Sequence, residues 1–237
     1  MASKNSRKEY LENSFYHAYN RGVEKRIIFQ DGQDYGVFLS YLKDYLLPKD
    51  EDDLYKQLAN ASYHERDKIL KLLRLNNFEG EIKLLAYCLM PNHFHFLIWQ
   101  KNLDSMDKFM NSLCTRYASY FNRRHKRVGK LYQDVYKAVQ ITNDPQLTHL
   151  SRYIHKQALG TQDQVLHGYQ AQRKNQPSSY PEYLGQRSAA WVKPDEVLAF
   201  FSNNSPALTY ESFVTENNSS EEIATLLLED LHEPEAL

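Results

Sequence analysis

Two histidines separated by one residue could together hold a metal ion. His93 and His95 occur in the run MPNHFHF at residues 90–96. Because side chains alternate faces along a strand, the two histidines would point to one side and Phe94 and Phe96 to the other. Two imidazoles on one face can share a divalent ion, whose further ligands must come from elsewhere in the chain. On spacing alone, a hairpin whose histidines are merely polar surface residues remains an alternative.

A tyrosine that precedes a glutamine by four positions is a second candidate. Tyr153 and Gln157 bound the segment YIHKQ. On a helix, residues four apart share a face, with their β-carbons about 6 Å apart, so a phenol and an amide could meet one metal-bound phosphate. The chain has 18 tyrosines, and a helical tyrosine usually contributes to packing, so that alternative also stays open.

The elements around these candidates alternate between strands and helices. Period-two and helical apolar patterns, interrupted by turn residues, predict four strands and three main helices. In chain order they are a strand at 14–20, a helix at 33–46, strands at 82–89 and 93–100, a helix at 105–125, a strand at 132–141 and a helix at 144–159. The charged stretch 49–77 predicts one or two exposed helices inserted before the third element.

This order predicts an α+β fold of the ferredoxin-like type. The split β-α-β-β-α-β arrangement forms an antiparallel sheet, here followed by an additional C-terminal helix that carries Tyr153. We predict a main domain over residues 10–160 with a helical insertion at 49–77. A C-terminal extension over 161–215 and an acidic tail over 216–237 would follow it. A fold does not by itself establish a function.

Charge is distributed unevenly along the chain. The formal net charge of −1 conceals a basic middle, since residues 101–140 contain nine basic and three acidic side chains. Residues 211–237 contain eight acidic side chains and no Lys or Arg. A basic cluster after the 105–125 helix predicts contacts with DNA phosphates, with a solvated helix end as the alternative. Its members are Arg123, Arg124, Lys126, Arg127 and Lys130.

Composition indicates an ordinary globular protein of the cytoplasm. The chain is 42% hydrophobic and 25% charged, and no apolar run approaches the roughly 18 residues that a membrane span needs. Its polar first residues lack the apolar core of a secretory signal. Cys88 and Cys114 are too few for a disulfide framework or a thiolate zinc site and suit a reducing compartment.

Several blocks of sequence, taken together, resemble one protein family. They are YHAYNRG at 16–22, YCLMPNHFH at 87–95 and LSRYIH at 150–155. From about residue 14 to residue 160 the chain resembles the single-tyrosine transposases of the His-hydrophobic-His (HUH) class, typified by small insertion-sequence transposases. Its resemblance to the branch called REP-associated tyrosine transposases is greatest. The segment 179–200 is similar to the C-terminal extension of that branch.

The resemblance implies a metal-dependent enzyme that cuts and rejoins single-stranded DNA at hairpin-associated sites. Tyr153 would be the nucleophile, forming a 5′-phosphotyrosine link and leaving a free 3′-hydroxyl. His93, His95 and Gln157 would hold Mg²⁺ or Mn²⁺, and imidazole ligands suit Mn²⁺ better. Members of the REP-associated branch often carry Asn-Pro shortly after the Tyr-Ile-His, whereas this chain has Lys156-Gln157, with the glutamine placed as in the insertion-sequence enzymes.

Two other functions are compatible with the same residues. A metal-dependent phosphodiester hydrolase would use the histidines without a covalent intermediate, leaving Tyr153 a structural role. A domesticated protein would bind hairpin DNA without cleaving it. The oligomeric state stays open between monomer and homodimer, because insertion-sequence relatives work as dimers whereas the REP-associated branch need not.

Overall fold

A four-stranded antiparallel sheet forms the centre of the protein in the computed structural model, which describes residues 10–159, 176–202 and 208–216. Its strands are β1 (Ser14–Arg21), β2 (Ile82–Met90), β3 (His93–Gln100) and β4 (Lys137–Ile141). They lie in the order β2-β3-β1-β4, and each neighbouring pair is antiparallel. This is the strand order of the split β-α-β-β-α-β arrangement, so the predicted α+β fold is confirmed.

Helices cover both faces of the sheet. The long ones are α1 (Gly32–Leu46), α2 (Glu51–Asn60), α3 (Tyr63–Arg74), α4 (Ser105–Arg124) and α5 (Asp144–Ala158). Short helices follow as α6 (Tyr180–Tyr183), α7 (Asp195–Leu198) and α8 (Tyr210–Thr215). Helices α1 and α4 pack on one face, and α5 packs on the other.

Aromatic side chains fill the layer between the sheet and the α1–α4 pair. Phe38 of α1 is fully buried, with its ring centroid 5.4 Å from that of Phe94 and 4.9 Å from that of Tyr117. Phe96 lies in the same cluster. Because Phe94 and Phe96 both point into this layer, the predicted alternation of β3 is confirmed, and His93 and His95 lie on the opposite face.

An apolar stripe holds α5 against that opposite face. Leu147, Leu150, Ile154 and Ala158 are each at most 4% exposed, at the positions that helical spacing predicts. They pack against the side chains that the sheet presents to α5, which are Leu85, Ala86, Cys88, Leu97 and Ile141. Burial of this stripe leaves the neighbouring face of α5, which carries Tyr153, beside the histidines of β3.

A buried carboxylate ties the start of α1 to the end of α4. Asp31 caps α1 by accepting from two backbone N–H groups, and its Oδ2 lies 2.6 Å from an Arg124 nitrogen. Asp34 is fully buried and contacts the same guanidinium, as well as His125 Nε2 at 3.0 Å. The Tyr120 hydroxyl donates to Asp34 at 3.2 Å. Pairing satisfies a charge that would otherwise be costly to bury.

The last strand is shorter than the sequence pattern predicts. A strand over 132–141 was expected, but β4 spans only Lys137–Ile141. Tyr132 forms a single bridge with Gly22, and the side chains of Tyr132 and Tyr136 both pack into the core beneath α4. The apolar alternation before Lys137 therefore reflects core packing by a loop, which a strand pattern resembles over a few residues.

The charged stretch before β2 forms a pair of exposed helices, as predicted. Within α2 and α3, both fully described, only Ile69 is buried. Lys49 Nζ donates to the Leu73 carbonyl at 2.9 Å, and Asn77 Nδ2 donates to the Leu47 carbonyl at 2.6 Å, which closes the base of the insertion. The chain therefore returns to the sheet as β2 after a peripheral helical hairpin.

The C-terminal extension covers the outer edge of β2. Leu89 N donates to the Pro177 carbonyl at 2.9 Å, and Lys193 N donates to the Leu84 carbonyl at 2.9 Å. Pairing of this kind protects an edge strand that would otherwise be open to other chains. Residues 160–175 of the predicted domain and extension, and the predicted acidic tail beyond Glu216, lie outside the described residues.

No helix in the described ranges is both long enough and apolar enough to cross a membrane.

Replacing Asp34 with asparagine should destabilise the protein by about 2 to 3 kcal/mol. Loss of the buried charge leaves Arg124 and His125 without their shared partner. The effect should fall below the roughly 3–5 kcal/mol of a fully buried pair, because the Arg124 side chain is 25% exposed. Urea unfolding monitored by circular dichroism would measure it. Asp67→Asn, at an exposed pair with Lys71, should change stability by less than about 0.5 kcal/mol; equal losses would contradict this account.

Candidate active site

Imidazole rings from two adjacent strands meet on the face that α5 covers. His17 of β1 is fully buried and His95 of β3 is 1% exposed. His17 Nε2 lies 2.9 Å from His95 Nδ1, and the two ring planes differ by 21° with their centroids 5.1 Å apart. The centroid of the His93 ring lies 4.9 Å from that of His95. The pair predicted from the sequence is therefore part of a layer of three imidazoles.

The surroundings keep the β3 histidines neutral and determine which nitrogen of His93 carries the proton. Burial, with a smaller effect of the Arg21 charge, lowers the pKa of His93 to about 4. Burial and the neighbouring His93 and His17 rings hold the pKa of His95 well below its ordinary value. His93 Nδ1 lies 2.6 Å from Asn92 Oδ1, which can only accept, so this nitrogen bears the hydrogen and Nε2 carries the lone pair.

Tyr153 lies beside this imidazole layer. Its ring centroid is 5.5 Å from that of His95 and 6.5 Å from that of His17, in edge-on orientations. The side chain is half-buried, packed on one side against the apolar cluster under α5. The structure thus brings together the tyrosine of a late helix and a histidine of a central strand. The role of each residue stays a prediction.

His93 and His95 fit the two imidazole ligands of a divalent ion. Nδ1 of His93 and of His95 each have a hydrogen-bond partner, which is the usual arrangement of metal-binding histidines whose Nε2 faces the ion. Gln157 follows Tyr153 by one helical turn and is half-buried. In the described part of the chain, no group of three or more His, Cys, Asp or Glu is arranged to hold a metal ion. Gln157 stays the predicted third ligand.

Part of the predicted basic cluster is already engaged within the protein. Arg124 pairs with Asp31 and Asp34, and Arg127 donates to Asn122 Oδ1 at 2.7 Å. Arg124 therefore ties α4 to α1, which limits its availability for phosphates. The exposed members of the cluster are Arg123, Lys126 and Lys130.

The chain that follows the basic cluster runs to the histidine end of the sheet. Val23 N donates to the Leu131 carbonyl at 3.0 Å, and Gln133 N donates to the Arg21 carbonyl at 2.9 Å. Arg21 is the register partner of His93. The exposed cations are thus linked by a short, hydrogen-bonded segment to the end of β1 at which His93 lies.

The comparison with known families matches the part of the chain that contains these residues. Residues 56–157 match the model of the family described as IS200-like transposases. That range includes His93, His95, Tyr153 and Gln157. Within residues 56–157 the chain is therefore similar to IS200-like transposases. Transposases of that family act in DNA transposition and generally depend on a metal ion. His17 lies outside the range that matches the family model.

Three solved structures show distant likeness to this chain. A REP-associated tyrosine transposase bound to a REP hairpin is 11% identical, with 81% of this chain and 98% of that chain covered and a TM-score of 0.40. A proposed transposase from Deinococcus radiodurans is 16% identical, with coverages of 65% and 97% and a TM-score of 0.26. A tRNA(His) guanylyltransferase from Saccharomyces cerevisiae is 11% identical, with coverages of 95% and 81% and a TM-score of 0.31. A comparison with curated protein sequences finds no significant match.

Four residues near the candidate active site carry polar groups to which the sequence assigned no role. His17 and Tyr19 of β1 lie on the same face as His95, and Tyr19 is its register partner. Arg21 follows two positions later, and Lys137 of β4 has its Nζ 5.9 Å from the centre of the Tyr19 ring. Alternation along β1 could have placed the first three on one face. The strand register that makes them neighbours of His95 could not be predicted.

A buried hydrogen-bond network holds α5 to the C-terminal extension. His155 is fully buried, with Nδ1 2.7 Å from the Tyr210 hydroxyl and Nε2 2.8 Å from Ser179 Oγ. Tyr210 donates to Ser151 Oγ, which in turn donates to the Thr148 carbonyl. Tyr210 must then accept from His155 Nδ1–H, so the ring is a neutral donor and acceptor, and burial lowers its pKa to about 3.

Replacing His155 with leucine should destabilise the protein by about 2 to 4 kcal/mol, because two buried hydroxyl groups each lose one hydrogen-bond partner. Those hydroxyls belong to Ser179 and Tyr210. Denaturant unfolding would measure the loss. The matched control is His64→Leu on the exposed start of α3, which should change stability by no more than about 0.5 kcal/mol. A His155→Leu protein as stable as wild type would show that the network does not anchor α5.

Proposed function

We propose that this chain cleaves and rejoins single-stranded DNA through a covalent link between Tyr153 and a 5′-phosphate. The observation that supports it most strongly is the 5.5 Å separation of the Tyr153 and His95 ring centroids. A phenol next to paired neutral imidazoles combines a nucleophile with a place for the ion that activates its target. Hairpin-associated DNA is the proposed substrate, as the resemblance of the motifs implies.

The bonds formed and broken are balanced without an added energy source. The Tyr153 oxygen forms a bond to phosphorus while the bond from phosphorus to the 3′-oxygen breaks, and the phenolic proton leaves to solvent while the 3′-oxygen becomes a hydroxyl. Attack of a 3′-hydroxyl on the phosphotyrosine reverses the step and rejoins a strand. Because the phosphotyrosine link conserves the energy of the phosphodiester bond, rejoining needs no nucleoside triphosphate.

Some features of the site would activate the phosphodiester, and others would position the nucleophile. A phenol has a pKa near 10 and is a weak nucleophile without help. Mn²⁺ or Mg²⁺, when held by His93, His95 and Gln157, supplies positive charge that polarises the phosphodiester. The packing of α5 on the sheet would hold Tyr153 beside that position. The half-buried setting limits the access of water, which would compete with the 3′-hydroxyl.

DNA would reach the site along the basic cluster. Arg123, Lys126 and Lys130 are exposed cations with side chains that can contact phosphates. Arg124 and Arg127 would act mainly by holding the cluster in shape, because their guanidinium groups already have partners in the chain. Such contacts orient a strand without reading its sequence.

The Tyr153→Phe variant should lose covalent attachment to DNA, because it lacks the attacking oxygen. Wild-type protein incubated with Mn²⁺ and end-labelled single-stranded DNA that carries a hairpin should give a slower band on a denaturing gel. Removal of the ion with EDTA should abolish the band. Tyr55→Phe is the matched control, since Tyr55 is 58% exposed on the insertion, and it should form the adduct as wild type does.

The other outcomes identify the alternatives. Cleavage without an adduct, unaffected by Tyr153→Phe, would indicate a metal-dependent phosphodiester hydrolase. Binding of hairpin DNA without cleavage under Mn²⁺ or Mg²⁺ would indicate a domesticated binding protein. Either result would contradict the proposed reaction.

Removing the exposed cations of the basic cluster should make DNA binding less dependent on salt. For single strands, each lost phosphate contact lowers the slope of log affinity against log salt by about 0.7, so three contacts lower it by about 2. Fluorescence anisotropy over a range of salt concentrations would measure the slope for the Arg123→Ala, Lys126→Ala, Lys130→Ala triple variant. Its control replaces three exposed lysines of the insertion, Lys56, Lys68 and Lys71; an unchanged slope in the first variant would exclude the cluster as the DNA contact.

A further inference from the structure

His17 of β1 is hydrogen-bonded to His95 of the adjacent strand β3. Its Nε2 is 2.9 Å from His95 Nδ1, and the ring is fully buried. The register partners of His17 on the two neighbouring strands are Leu97 and Val139, both apolar. A polar ring buried between apolar neighbours is costly unless it is hydrogen-bonded, and the bond to His95 meets part of this need.

This hydrogen bond controls which nitrogen of His95 is available. One of the two facing nitrogens must donate and the other must accept, because two lone pairs would repel each other. If His95 Nδ1 donates, its Nε2 keeps a lone pair that can bind an ion. If His95 Nδ1 accepts, Nε2 bears the hydrogen and cannot be a ligand.

We propose that His17 is a positioning residue that accepts from His95 Nδ1–H and thereby holds His95 in the tautomer whose Nε2 can bind a divalent cation. The inference rests on the proposed function, because it concerns the ion that the transposase site would hold. Outer partners of this kind orient metal-binding histidines and raise the affinity of their sites. His17 would supply through a neutral ring what a carboxylate or a backbone carbonyl supplies in most such sites.

Two features of His17 distinguish this role from that of a ligand. Its Nε2 is directed at the nitrogen of His95 opposite to the one that would face the ion, so His17 and His95 cannot bind one ion through these atoms. The ring of Tyr19 is stacked on His17 with centroids 4.7 Å apart, which restricts rotation of the imidazole. His17 is therefore held in one orientation by packing while it orients His95.

Two substitutions at this position separate hydrogen bonding from packing. His17→Phe keeps a flat ring against Tyr19 but has no acceptor for His95. His17→Gln loses the ring but places an amide oxygen near the position of Nε2, so it can still accept. Isothermal titration of the full-length protein with Mn²⁺ would give the affinity of the site. ¹⁵N NMR of the ion-free protein would give the tautomer of His95, with His95→Ala identifying its signals.

The expected results differ sharply between the variants. His17→Phe should bind Mn²⁺ about 10- to 100-fold more weakly than wild type, and its His95 should shift toward the Nε2-protonated tautomer. His17→Gln should retain most of the wild-type affinity and the Nδ1-protonated form.

Three results would overturn the inference: equal Mn²⁺ affinity in wild type and His17→Phe, a glutamine variant as weak as the phenylalanine variant, or a wild-type His95 protonated on Nε2. Neither measurement contains DNA. Absence of the tyrosine adduct would therefore refute the proposed function without deciding the role of His17, and the tautomer is measured even if the proposed reaction fails.

Discussion

Packing α5 on the sheet buries imidazole rings in an interface that is otherwise apolar, and such rings are stable there only when their nitrogens have partners. His17 and His95 bond each other across β1 and β3. His155 bonds Ser179 and Tyr210 on the opposite side of the helix. The same bonds that make burial tolerable also restrict the orientation of the rings. In the proposed reaction, a site ordered by the fold in this way would act strongly on the phosphate, because its groups need no rearrangement.

The position of the tyrosine depends on parts of the chain that are distant in sequence. The apolar stripe of α5 rests on β2 and β3, while His155 attaches the helix to the extension that covers the edge of β2. Arg152 and Lys156, on either side of that attachment, both donate to the Glu216 carbonyl at the end of α8. The C-terminal extension is therefore part of the support of Tyr153, so its loss would affect the candidate site even though it contributes no proposed ligand.

Local patterns allowed the sequence to predict most of the fold and the faces on which several candidate site residues lie. Alternation along β3 predicted that His93 and His95 share a face, and helical spacing predicted the stripe from Leu147 to Ala158. Long-range packing determined what the sequence could not predict. The His17–His95 bond joins residues 78 positions apart and depends on strand register, and the engagement of Arg124 depends on how α4 meets α1. The predicted start of β4 was wrong because core aromatics in a loop repeat at strand-like intervals over a short distance.

Anomalous X-ray scattering from crystals of the full-length protein grown with Mn²⁺ would test the central claim most directly. The account predicts one strong Mn²⁺ peak at the α5 face of the sheet, within coordination distance of Nε2 of both His93 and His95 and facing the Tyr153 hydroxyl. It would be contradicted by Mn²⁺ bound away from these histidines, by a site empty at saturating Mn²⁺, or by a Tyr153 ring turned away from the ion.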